Sequence, residues 1–102
     1  HFIVANIPDV CTSWDKAKII CKKWGGYLPS VGELKVMVKY IEEINQCFKD
    51  NDSPLCLLVT NYYYWSSSVY SCSNAFYVNT EDGTVYDRNK GNANNVRTIL
   101  YP

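Results

Sequence analysis

The spacing of apolar residues changes character near residue 56, and that change limits the folds open to the chain. Upstream, Trp14, Ala17, Ile20, Cys21 and Trp24 recur at intervals of three and four, as do Leu34, Met37, Val38, Ile41 and Ile44. Each set draws one stripe along a helix. Ser13 offers a hydroxyl cap to the first helix, and Gly25-Gly26 closes it. The second opens at Ser30-Val31-Gly32-Glu33, a capping box in which serine hydroxyl and glutamate carboxylate satisfy each other's backbone amides. It is expected to run to about residue 45, ahead of a polar turn at residues 49–54.

Downstream, short runs rich in β-branched and aromatic residues alternate with turn signals. Asp82-Gly83 between two such runs is a hairpin signal, because both turn positions favour residues that tolerate positive φ. Residues 2–6 read as one further short strand. Helices followed by strands make an α+β protein: two helices packed on one side of a twisted antiparallel sheet. At 102 residues the chain holds a single domain, residues 1–102, with one core.

Lys and Arg number 10, as do Asp and Glu, so the net charge is zero. The long-range attraction that nucleic acid or an anionic bilayer demands is missing, and no nucleic-acid partner or direct membrane insertion is expected. No apolar run approaches the ~20 residues of a membrane span. The chain begins at His1 rather than Met, and it is expected to be a piece of a larger surface or secreted protein.

Five cysteines favour an oxidising compartment, outside the cell or on its surface. Cys47 and Cys56 bracket a polar loop and form the first candidate disulfide; other connectivities stay open, and an odd count leaves one thiol over. Zinc sites want closely spaced pairs, which are missing here, so no metal or other cofactor is expected. A nucleophilic cysteine needs a base within reach, and the one histidine is His1. Glu42-Glu43 point apart on a helix and Glu81-Asp82 sit in a turn, which disfavours paired acid/base work. The expectation is a protein without enzymatic activity.

What remains is surface chemistry. Nine tyrosines with abundant Asn and Ser resemble the composition of binding loops, where tyrosine supplies wide contact and the amides adapt their hydrogen bonds. In residues 62–68, Tyr63 and Trp65 share one strand face while Tyr62, Tyr64 and Ser66 share the other. Tyr64, Trp65, Phe76 and Val78 read as core, and with Trp65 inward Tyr62 or Tyr64 must find cover from a helix, a loop or a ligand. The candidate ligand-binding set is Tyr62, Tyr70, Ser73, Asn74, Arg88, Asn89, Lys90, Asn92 and Asn94. Arg88 and Lys90 give it a positive tip suited to a sulfated or acidic sugar. Arg97, among apolar neighbours, is expected in a buried hydrogen-bonded pair that fixes the last strand.

The segment from Trp14 to Leu34, with Leu28-Pro29-Ser30 and Glu33-Leu34, then Tyr64-Trp65-Ser66-Ser67 and a closing Val96-Arg97, resembles the bacterial Lcl C-terminal domain family, over residues 14–100. That family has a C-type-lectin-like fold. The resemblance implies a compact extracellular recognition or adhesion module whose ends lie close together, binding a glycan or a cell-surface protein. The alternative is a structural tip or trimerising cap of a bacterial surface fibre, with homo-oligomers formed through the parent protein. C-type lectins commonly tie the first helix to the last strand by a disulfide, so Cys21 would seek a cysteine near Thr98; with none there, Cys72 becomes a candidate partner. The tripeptides of calcium-dependent sugar binding are absent, so the resemblance implies no calcium site.

Overall fold

A computed structural model describes residues 2–53, 58 and 62–101. The chain is α+β, with three helices and a mixed sheet. Two short strands, β1 (Ile3–Val4) and β2 (Val10–Thr12), precede α1 (Trp14–Lys23), α2 (Val31–Lys39) and α3 (Ile41–Asp50). Then come β3 (Tyr63–Val69), β4 (Asn74–Asn79), β5 (Val85–Asn89), β6 (Asn94–Val96) and β7 (Ile99–Leu100).

The expectation of two helices is corrected at Tyr40. There the backbone leaves helical geometry (φ −112°, ψ 23°) and ends α2 while opening α3. The Tyr40 amide donates to Val36 O and its carbonyl accepts from Ile44, so hydrogen bonding continues through the kink. Side-chain spacing therefore passes across the break unchanged, and periodicity alone reads one helix. The capping box forms as expected, Glu33 N donating to Ser30 Oγ and Ser30 N to Glu33 Oε1. Ser13 holds the N-cap position of α1 without a side-chain cap bond. At the other end, Gly25 takes a positive φ of 76° while its amide donates to Lys22 O and that of Gly26 to Cys21 O. This paired closure is the Schellman arrangement.

The expectation of a purely antiparallel sheet is likewise corrected. The five-stranded sheet runs β2-β6-β3-β4-β5, open at both edges, and β6 lies parallel to β3 at Tyr64↔Asn95. Alternation within a strand is blind to the direction of its neighbour, which explains the miss. The β4–β5 hairpin turns at Asp82-Gly83, Gly83 at φ 77° and Asp82 Oδ1 accepting from Thr84 N. β1 pairs with β7 in a separate two-stranded sheet that brings residues 3–4 beside residues 99–100. Residues 95–101, a β-branched and aromatic run that reads as one strand, instead belong to two, interrupted at Arg97-Thr98.

The helices do not share one side of the sheet. Residues opposite each other in register share a face, so Trp65, Ala75 and Tyr77 belong to one face and Tyr64 and Val78 to the other. The first group clusters with Trp14, Ala17 and Cys21 of α1; the second with Leu34 and Met37 of α2. This double cover buries both Tyr64 and Trp65. Both buried indoles find acceptors, Trp14 Nε1 on Ser66 O and Trp65 Nε1 on Thr12 O, each at 2.8 Å. Trp24, expected on the buried stripe of α1, is exposed.

Candidate functional site

Lys90 joins two of the loops expected to bind. Its amide donates to Ser73 O (2.8 Å) and its Nζ to Cys72 O (3.1 Å), while its carbonyl accepts from Trp14 N at the start of α1. The ammonium also lies 4.5 Å from the centre of the Trp14 ring. Asn74 stands opposite Asn89 in the β4–β5 ladder, and its amide donates to Asp87 Oδ2. Asn89 accepts from Gly91 N through its side chain and from Asn92 N through its carbonyl. Tyr70, Ser73, Asn74, Asn89, Lys90 and Asn92 therefore occupy one end of the sheet. Lys90 holds that end together, so its positive charge is partly engaged in structure.

The remaining three, Tyr62, Arg88 and Asn94, line a shallow cavity of about 500 Å³ together with Cys11, Tyr63 and Asn95. Alternation and register place Tyr63, Tyr77, Tyr86 and Arg88 on the same sheet face, with Tyr77 also packed into the α1 cluster. The Tyr77 ring centre is 5.2 Å from that of Tyr63 and 5.5 Å from that of Tyr86, and the Arg88 guanidinium lies 5.4 Å over it. Tyr63 and Tyr86 are 42% and 44% exposed, while Tyr77 forms the floor. Burial raises the Tyr77 phenol above its ordinary value against the opposing Arg88 charge, so it stays neutral at physiological pH. The result is an aromatic strip ending in a cation.

Arg88 Nη1 donates to Ala93 O (3.3 Å) and Asn94 Oδ1 (3.1 Å). A guanidinium only donates, so the Asn94 oxygen must face it, and the amide nitrogen must point away. Asn94 is 3% exposed, and its Nδ2 has no hydrogen-bond partner among the described residues. A buried donor without an acceptor is costly, and native folds seldom keep one without a use.

The sequence pointed to Arg88 and Asn94 but missed Tyr77 and Tyr86 as their neighbours. The alternation Ala75, Tyr77 against Arg88, Tyr86 carries that signal once strand register is known. It also missed a larger cleft, about 830 Å³, between the end of α1 and the start of α2, lined by Lys18, Lys22, Tyr27, Ser30, Glu33 and Tyr101. There both Glu33 oxygens are engaged, Oε1 by Ser30 N and Oε2 by the Tyr101 hydroxyl at 2.5 Å. An apolar groove of about 500 Å³ runs between Phe2, Ile3, Val36, Tyr40 and Phe48. Neither contains an unsatisfied buried donor among the described residues.

Cys21 and Cys72, considered above as a disulfide, are free thiols. Cys21 is buried, with the Thr98 hydroxyl donating to its sulfur at 3.3 Å, at the position where the resemblance implies a cysteine. Cys47 is exposed, and its suggested partner Cys56 lies outside the described residues. Among the described residues no three His, Cys, Asp or Glu side chains gather as metal ligands, and no helix is long and apolar enough to cross a membrane. No family model matches the chain, and no curated protein matches it either.

Proposed function

We propose that the domain is a non-enzymatic extracellular recognition module that binds a glycan through the Tyr63–Tyr77–Tyr86 strip and the adjoining loops. One observation carries this reading: the aromatic strip ends at Arg88 and the orphaned Asn94 amide. Sugar rings present C–H faces to aromatic side chains and hydroxyls to amides and cations, and the strip offers both side by side, with Tyr63 and Arg88 lining one cavity. The resemblance to the Lcl C-terminal domain family implies the same role.

The test is a glycan array, sulfated sugars included, probed with and without a calcium chelator. Reproducible binding that survives chelation and falls on Tyr86→Ala or Arg88→Gln supports the reading. Silence across the array from the folded chain overturns it, and concentration-dependent self-association in the ultracentrifuge would then favour the fibre-tip alternative.

A further inference from the structure

We infer that the Arg88–Asn94 cavity selects sugars that carry an anionic, acceptor-only group, a carboxylate or a sulfate; this rests on the recognition reading above. The one charged group lining the cavity is a donor, the Arg88 guanidinium, set among Tyr62, Tyr63 and Asn95, whose side chains can donate or accept. Arg88 uses Nη1 for Ala93 O and Asn94 Oδ1, and no hydrogen bond engages its Nε or Nη2 among the described residues. Asn94 adds the unpartnered Nδ2.

Charge agrees with this inventory. The one ion pair among the described residues joins Asp9 and Arg97, so no described carboxylate is in ion-pair contact with Arg88. The nearest in sequence, Asp87, points to the opposite face of the sheet and accepts from Asn74 Nδ2 at 2.8 Å. The guanidinium is also pre-positioned, stacked on Tyr77 and tied to β6 through Asn94, so little side-chain freedom remains to be lost on binding. A neutral sugar would leave the fork without a matching pair of charged acceptors, whereas a carboxylate or sulfate meets it with two oxygens.

The exposed rings of Tyr63 and Tyr86 then receive the sugar that carries the anion. An aromatic platform beside an unpaired guanidinium selects for both halves of such a ligand, and inorganic sulfate alone would use only one. The order of affinity expected is therefore acidic sugar above free anion, and free anion above neutral sugar.

The test titrates the ¹⁵N-labelled 102-residue chain with sodium glucuronate, glucose 6-sulfate, glucose and sodium sulfate, following the Arg88 Nε–H and Asn94 Nδ2 signals. Glucuronate or glucose 6-sulfate should move both signals and bind at least about tenfold more tightly than glucose, as loss of a charge-assisted bond predicts. Arg88→Gln should abolish that preference. Asn94→Asp, which keeps an acceptor for Arg88 but replaces the donor by a second negative oxygen, should weaken the acidic sugars by about tenfold or more and leave glucose unchanged. Thermal unfolding checks that the variants fold; should Asn94→Asp fail to, Arg88→Gln decides. Equal affinity for glucuronate and glucose, or an unchanged preference in Arg88→Gln, overturns the inference. Reproducible array binding confined to neutral glycans would do so while leaving the recognition reading standing; absence of binding in both assays removes both.

Discussion

Nε of Arg97 lies 2.8 Å from Oδ1 of Asp9, joining residues 88 positions apart in the chain. The Arg97 side chain is fully buried, and Asp9 also accepts from the Tyr64 hydroxyl on β3. A second guanidinium contact reaches Ala5 O, and the Phe48 ring lies 5.5 Å away. One ion pair therefore connects the N-terminal segment, the sheet, α3 and the entry to β7.

Removing one member of such a pair leaves the other charged and buried, so Arg97→Met should lower unfolding free energy by about 3–5 kcal/mol at pH 7. Burial raises Asp9 above its ordinary 3.8, opposed by the Arg97 charge and the Tyr64 hydroxyl. A folded pKa above the unfolded one means the native state holds the proton more readily, so stability from this group declines as pH rises past 3.8. Arg97→Met removes the opposing charge and pushes Asp9 higher still. Urea titrations at several pH values should show the variant recovering part of its deficit on acidification; a deficit independent of pH would contradict this account.

Glu33 behaves oppositely. Burial raises its pKa, but hydrogen bonds from Ser30 N, the Tyr101 hydroxyl and the Ser30 hydroxyl outweigh that and hold it below the ordinary 4.5. Its stabilisation is present above 4.5 and lost as pH falls through the lower folded value. Glu33→Ala should therefore be less stable than the wild type at neutral pH, and the two should converge in acid. Ser30→Ala removes the other half of the box and should cost about 1 kcal/mol. Guanidinium unfolding measured across the acid range checks both.

Gly25 and Gly26 are adjacent, yet alanine should harm them for different reasons. At Gly25 nothing stands within 4 Å of an added Cβ, and the positive φ alone strains the substitution, at about 1–2 kcal/mol. At Gly26 the added carbon would lie 2.4 Å from Ile99 O and 2.5 Å from Thr98 Cγ2, against the backbone of β7. Gly26→Ala should be the more damaging of the two and should loosen Tyr27 N–H···O=C Ile99, read as faster amide exchange at Tyr27. Equal effects would show that β7 shifts without penalty.

Thiol reactivity should separate the cysteines by burial. Burial raises the Cys21 thiol above its ordinary value, against the hydrogen bond from Thr98. Cys11 and Cys72 are exposed. Iodoacetamide under native conditions should label those two, together with the equally exposed Cys47, and spare Cys21 until urea unfolds the chain. Native labelling of Cys21 would place α1 away from the sheet.

Much of this molecule was written in local sequence. The capping box at Ser30 and Glu33, the Gly25-Gly26 closure, the Asp82-Gly83 hairpin and the burial of Arg97 in a polar pair each follow from residues a few positions apart or from a charge among apolar neighbours. Short-range hydrogen bonding and backbone sterics decide such features, and they need no knowledge of the rest of the chain. Tertiary structure decided what depends on neighbours distant in sequence: the direction of β6 beside β3, the placement of α1 and α2 on opposite faces, and the break at Tyr40 that leaves the apolar spacing intact. The candidate site divides the same way. Arg88 and Asn94 were legible as polar groups near a turn, but alternation leaves strand register open. Only the pairing of β3, β4 and β5 sets Tyr63, Tyr77 and Tyr86 in one strip, and only the placement of β6 beside β3 brings Asn94 to Arg88.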